Sequence, residues 1–231
     1  MRTPSEREYI HERLGGQFEE ALSLYDTRRR MEVLIEEFLP GDLLKGKRVL
    51  EVGTGLGHFA ERLAARGAEL TVVDLGPNLV ENVRSRLGCE GYCADALCLT
   101  EVLQPASFDV VVSSECIEHT PDPARAVAQM LGMLKPGGLL SLSTPNVVWL
   151  PVVRAATRLG FRPFDGLENF STFGSLRRVI KENGGRVMKE KGLHLFPFQI
   201  PMNPLSTWMD EHCQFARTAM INLCVLARKA D

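Results

Sequence analysis

The sequence predicts an α/β chain built on a mostly parallel sheet, and three observations support this. Strand-like apolar runs alternate with amphipathic helical segments from residue 47 to residue 144. The first run, Val49-Leu50-Glu51-Val52, passes through Gly53-Thr54-Gly55-Leu56-Gly57 directly into a helical segment. The acidic residues Asp74, Asp95 and Glu115 each stand at or just past the end of a predicted strand. Alternation at this spacing joins parallel strands through crossover helices, which cover both faces of the sheet.

In chain order, two helical segments come first. Ile10, Leu14, Phe18 and Leu22 mark one, and Met31, Leu34, Ile35, Phe38 and Leu39 the other, which ends at Pro40-Gly41. Strands are predicted at 47 to 52, 69 to 73, 90 to 94, 107 to 114 and 138 to 144, with helices at 58 to 66, 78 to 87 and 123 to 134. Asp122 is the N-cap of the last of these helices, with Pro123 in its first position, and Val127, Met130, Leu131 and Leu134 are its apolar stripe. Leu134-Lys135-Pro136-Gly137-Gly138 reads as a type II turn ending it. Beyond Asn146 a helix is expected at 147 to 159, then an irregular stretch through Pro163, Asp165, Gly166 and Asn169. A helix at 176 to 183 ends at Gly184-Gly185, and strands near 186 to 195 and 218 to 228 bring the sheet to seven.

A chain of 231 residues can bury one good core, and 45% hydrophobic with 24% charged residues is ordinary globular composition. A net charge of −2 lacks the basic excess that phosphate binding needs, so a nucleic-acid partner is not expected. Arg28-Arg29-Arg30 is the one basic run and is read as a solvated helix face, with an anionic substrate or a cofactor carboxylate as the alternative. No run approaches a membrane span of about 20 residues, and the first residues lack a signal-peptide core, so a cytoplasmic protein is expected. Six cysteines without C-x-x-C spacing fit a reducing compartment and no zinc site. Cys93, Cys116 and Cys224 are read as small apolar side chains.

Glycine at Gly53, Gly55 and Gly57 allows positive φ and a close approach of the backbone to a ligand. A dinucleotide turn would carry its third glycine where this chain has His58, and Glu51 suits a cationic ligand better than a pyrophosphate. Asp74 stands about 20 residues beyond the first glycine, where an acid can accept both ribose hydroxyls of an adenosine. Asp95-Ala96 follows the third strand, and Ser113-Ser114-Glu115-Cys116-Ile117-Glu118-His119 follows the fourth. Together these motifs, spread over residues 49 to 146, resemble the class I S-adenosylmethionine-dependent methyltransferases. S-E-C-I-E-H-T-P-D-P, L-K-P-G-G and S-T-P-N are most similar to the subgroup with the ubiquinone-biosynthesis O-methyltransferases and natural-product methyltransferases.

The resemblance implies a Rossmann-like fold in which the last strand inserts antiparallel between the fifth and sixth. It implies a single domain over 1–231: an N-terminal helical cover (1–44), a cofactor-binding core (47–146) and an acceptor-side insertion with the C-terminal strands (147–231). It implies S-adenosylmethionine as the cofactor, leaving as S-adenosylhomocysteine. Its expected contacts are Glu51, Gly53, Gly55, Gly57, Asp74, Leu75, Asp95, Ala96, Ser114 and Glu115.

Methyl transfer from a sulfonium asks chiefly for in-line positioning, and a hydroxyl acceptor adds the need for a base. His119 is the candidate catalytic residue, with a bracing role in its loop as the alternative. Glu115, Glu118 and His119 could hold Mg²⁺ beside a catechol-like acceptor, although no divalent metal is expected. His58 is read as packing near the cofactor, His11 as able to reach the site from the cover, and His194 and His212 as satisfied surface or rim histidines. Tyr9 and Tyr25 are read as helix packing, with closure over the site as the alternative. Trp149, Phe161, Phe164, Phe170, Phe173 and the stretch 193 to 202 with Trp208-Met209 could wall an apolar acceptor pocket; core packing or a homodimer contact is the alternative. The expected partner is thus a small-molecule acceptor, aromatic or hydrophobic, methylated on oxygen. Transfer to nitrogen or carbon, and a non-catalytic cofactor-binding module, stay open.

Overall fold

The computed structural model describes residues 24–160, 166–196 and 203–231. The expectations for Ile10, Leu14, Phe18, Leu22, Tyr9, His11, Phe161, Pro163, Phe164, Asp165 and residues 197 to 202 lie outside the described residues.

Seven strands form one sheet: β1 (Arg48–Val52), β2 (Glu69–Asp74), β3 (Glu90–Cys93), β4 (Phe108–Ser114), β5 (Leu134–Pro145), β6 (Gly185–Leu193) and β7 (Asn222–Lys229). The order is β3-β2-β1-β4-β5-β7-β6. Neighbouring pairs from β3 to β5 are parallel, and β7 runs antiparallel to both β5 and β6. The direction of winding reverses between β1 and β4, where open α/β sheets leave a crevice at the carboxyl ends of their strands. Val49, Leu50, Val110, Val111 and Val112 are all buried, as a strand covered on both faces requires.

The helices are α1 (Leu24–Met31), α2 (His58–Ala65), α3 (Pro77–Leu87), α4 (Pro123–Met133), α5 (Leu150–Arg158), α6 (Phe173–Glu182) and α7 (Asn203–His212). The Asp122 side chain caps α4 by accepting from the Arg125 N–H at 3.0 Å. One core face gathers Leu50, Val111, Ile117, Met130 and Leu131 with Phe173, Leu176 and Ile180 of α6. The other gathers Val49, Phe59, Leu63 and Val110 with Val33, Leu34, Ile35 and Phe38, which follow α1.

Four expectations are corrected. Residues after α1 form a π-helical stretch, Glu32–Glu37, whose wider turn turns three consecutive side chains, Val33, Leu34 and Ile35, inward. The Lys135-Pro136-Gly137-Gly138 segment is absorbed into β5 as an irregularity between the Phe108–Leu134 and Val110–Leu139 pairings, with Gly137 at φ +73°. Helix α6 begins three residues earlier than predicted, because Thr172 and Ser175 form a reciprocal capping box. That early start carries Phe173 into the core, 4% exposed, and removes it from the candidate pocket wall. The arginine run is not a solvated face: Arg28 is exposed, but Arg29 and Arg30 are buried. No helix among the described residues is long and apolar enough to cross a membrane.

Candidate active site

The β1–α2 turn lies at the reversal point. All three of its glycines have positive φ, +81° at Gly53, +49° at Gly55 and +86° at Gly57. Their surroundings differ. A Cβ on Gly53 would come within 2.6 Å of the Cys116 Cβ, and one on Gly57 within 2.7 Å of the Val83 side chain, while Gly55 has nothing within 4 Å. A Cβ at Gly53 or Gly57 would meet protein, whereas one at Gly55 would enter open space.

Glu51, next to last in β1, is 3% exposed and accepts from the Thr54 hydroxyl at 2.9 Å. Burial, with the negative charge of Asp74 adding to it, pushes its carboxyl up to about 8 against the Thr54 hydrogen bond. Asp74, also buried, uses both oxygens on backbone: Oδ2 accepts from the Gly55 N–H at 2.9 Å and Oδ1 from the Gly76 N–H at 3.0 Å. Leu75 follows it, half-buried. Asp95, also half-buried, accepts from the Leu97 N–H at 3.0 Å in a local turn that holds its carboxylate at the end of β3, with Ala96 buried beside it.

After β4 the chain turns sharply at Glu115, φ +51°. Its Oε1 accepts from the Ser143 hydroxyl and its Oε2 from the Asn222 side-chain amide, both at 2.9 Å. Burial and then the charge of Glu118 raise Glu115 to about 7, opposed by Arg30. Glu118 is buried, accepts from Thr144 Oγ1 at 3.0 Å, and is likewise raised by burial to about 7. His119 Nδ1 lies 3.1 Å from the Leu167 carbonyl, which can only accept, so Nδ1 carries a proton. Its Nε2 lies 3.8 Å from Glu118 Oε1. Asn169 fastens the 166–172 segment to this loop, its N–H donating to the Glu118 carbonyl at 2.8 Å and its amide to Thr120 O at 2.7 Å. No group of three or more His, Cys, Asp and Glu side chains among the described residues is placed to hold a metal ion.

Ser114 was expected at the cofactor. Its hydroxyl accepts from Arg30 Nη1 at 2.6 Å and lies 3.0 Å from Ser143 Oγ. Arg30 in turn grips Asp26 Oδ2 through Nε at 3.1 Å and Nη2 at 2.9 Å. The pairing of Arg30 with Asp26 was legible, since the two stand at i and i+4 on one helix face; that the pair turns inward was not, because Ser114 lies 84 residues away. His194, expected at the surface or rim, is fully buried, with Nε2 2.9 Å from Asp26 Oδ1. Nothing local in the sequence signals that contact, whose partners are 168 residues apart. His212 matches its expectation, stacked on Trp208 at the exposed end of α7 with Nδ1 donating to the Trp208 carbonyl at 2.8 Å. Tyr25 bonds Thr207 Oγ1 at 2.8 Å, joining α1 to α7. His58 begins α2, half-buried.

These donors and acceptors fit S-adenosylmethionine. A Cβ at Gly55, whose N–H is held by Asp74, would enter open space, and Glu51, uncomfortable as an isolated buried anion, is matched to a cationic ligand. The comparisons agree. The chain is 32% identical over 168 residues to the ubiquinone biosynthesis O-methyltransferase of Coxiella burnetii, covering 68% of this chain and 70% of that one. It is 42% identical over 130 residues to the protein of the same name from Idiomarina loihiensis, covering 53% and 54%. A Mesorhizobium loti S-adenosylmethionine-dependent methyltransferase shares the fold at TM-score 0.65 and 19% identity, over 87% of this chain and 98% of that one. Magnesium protoporphyrin IX methyltransferase from Synechocystis shares it at TM-score 0.63 and 14% identity, over 90% and 84%. Residues 24–190 match the methyltransferase domain family, so the chain belongs to that family and is an S-adenosylmethionine-dependent methyltransferase.

Proposed function

We propose that this enzyme methylates an oxygen of a small aromatic or hydrophobic acceptor, with His119 as the general base. The observation that carries the reading is the hydrogen bond from His119 Nδ1 to the Leu167 carbonyl, which fixes the tautomer so that the basic nitrogen of the neutral ring is Nε2. Glu118 Oε1 lies 3.8 Å from that nitrogen. Leu167, 43% exposed, sets an apolar side chain on the segment that holds the ring. The relatives' name, ubiquinone biosynthesis O-methyltransferase, supports oxygen as the accepting atom.

When bound, S-adenosylmethionine supplies a methyl group on a positively charged sulfur, which is already an activated leaving group. The chain's own part is to hold and to orient. Asp74 and Asp95 present acceptors for the adenosine hydroxyls and base, Glu51 offers negative charge, Gly55 leaves room for close approach, and Leu75 and Ala96 add apolar contact. Holding the acceptor oxygen in line removes orientational entropy worth several kcal/mol of the barrier.

The test is incubation of the purified enzyme with S-adenosylmethionine and a panel of catechols, phenols, primary amines and carbon acids. Homocysteine release would be followed after hydrolase treatment, and the methylated product located by mass spectrometry. Turnover on catechols or phenols with an O-methyl product is expected. Turnover confined to amines or carbon acids would overturn the choice of oxygen.

A further inference from the structure

A buried chain of polar groups joins the end of β6 to the cofactor turn. His194 sits just past β6 at φ +61°, its N–H donating to Asp210 Oδ1 of α7 at 2.8 Å and its carbonyl accepting from the Ile221 N–H at 3.0 Å. Its ring packs against Tyr25, with centroids 5.7 Å apart. Burial alone pushes the Asp26 carboxyl up, but Arg30 and His194 outweigh it and leave Asp26 below its ordinary value, so it is ionised and can only accept. The contact at 2.9 Å is therefore a donation from His194 Nε2–H to Asp26 Oδ1.

From Asp26 the direction of every further bond is fixed when Glu115 is ionised. Arg30 has donors only, so Ser114 Oγ accepts from it. Ser143 gives its one proton to Glu115, so Ser114 donates to Ser143. The chain ends on the carboxylate that anchors the left-handed turn at Glu115, a backbone state costing about 1–3 kcal/mol where it is not supported. The next residue, Cys116, lies directly beneath Gly53 of the cofactor turn. Without a correctly aimed Arg30, the serine pair can reverse, and Glu115 loses a donor.

We propose that His194 is a positioning residue for the cofactor site: it fixes Asp26, which aims Arg30, which sets the Ser114–Ser143–Glu115 chain under the glycine turn. The hydrogen-bonding function lives on Nε2, remote from the backbone strain at the same residue, and the two can be separated. The side-chain amide of glutamine reaches the place of Nε2, whereas asparagine is too short but tolerates positive φ better.

The experiment is titration calorimetry with S-adenosylhomocysteine, which reads the cofactor site whatever the acceptor is, with thermal melts to establish that each variant is folded at the measuring temperature. His194→Ala should weaken binding roughly tenfold, the worth of one buried charge-assisted hydrogen bond. His194→Gln should bind within about threefold of the parent, and His194→Asn should behave like His194→Ala. In an Arg30→Ala background the His194→Ala change should cost little more, because the two act through one chain. A better-binding Asn than Gln variant would show that backbone strain alone matters. That result, or a full tenfold effect of His194→Ala without Arg30, overturns the proposal. If His194→Ala does not fold, the Gln and Asn comparison decides it.

Discussion

The Asp74 carboxylate clamps two turns at once, accepting from the Gly55 N–H at 2.9 Å and from the Gly76 N–H at 3.0 Å. The turn after β1 and the turn after β2 are thus one rigid unit before any ligand arrives. Asp74→Ala should weaken S-adenosylmethionine binding by about 1–3 kcal/mol and also lower the melting temperature, since two backbone donors lose their partner. Calorimetry and a thermal melt read the two effects separately. Unchanged affinity removes Asp74 from the cofactor site.

The glycines of the neighbouring turn should not respond alike. Gly53→Ala forces a Cβ to 2.6 Å from Cys116 in addition to its positive φ, whereas Gly55→Ala meets no atom within 4 Å. Gly55→Ala should cost about 1–2 kcal/mol of stability, the left-handed penalty alone, and impair cofactor binding disproportionately. Gly53→Ala should cost more, as an overpacked core site does. Equal losses in urea denaturation would contradict the assigned packing.

Stability should fall as the solution becomes more alkaline. Glu51 is raised to about 8, and Glu115 and Glu118 to about 7, so the folded chain holds these protons more tightly than the unfolded chain. Their contribution is fully present below the ordinary carboxylate value near 4.5 and is lost as the pH passes through about 7 to 8. Melting temperatures recorded from pH 5.5 to 8.5 (roughly the window these shifts define) should decline, and Glu51→Gln should flatten the upper part of that decline. Binding of the cationic cofactor near neutral pH should release protons, seen as a buffer-dependent heat.

His119→Ala should reduce kcat by roughly 10²- to 10⁴-fold on the acceptor that turns over, with S-adenosylhomocysteine affinity held, because the ring serves proton transfer and not cofactor binding. Full turnover by the variant would leave His119 only its bracing contact to Leu167.

Phe173→Ala should lower stability by about 3–5 kcal/mol through an unfilled core cavity while leaving the acceptor KM unchanged. A large rise in acceptor KM with unaltered stability would return Phe173 to the pocket wall.

The sequence alone determined the elements whose signals are local. Period-2 and period-3.6 patterning placed the strands and helices of the core within a residue or two, except β5, which begins four residues before its predicted start, and the Asp122-Pro123 start of α4 was readable because a cap and its helix are adjacent. The order of acidic residues at strand ends marked the cofactor crevice, since parallel strands deliver all their carboxyl ends to one edge of the sheet. Tertiary structure decided what depends on partners distant in the chain. Arg30 is buried because Asp26, Ser114 and the two glutamates after β4 surround it, and a charged side chain can leave water only where such partners compensate its desolvation. His194 is interior because Asp26, 168 residues away, accepts from its ring, and Phe173 is core because its helix, started three residues early by the Thr172–Ser175 capping box, packs it among distant apolar side chains. The same holds for Gly53 and Gly57, where a Cβ would meet Cys116 and Val83, residues that only folding brings within reach.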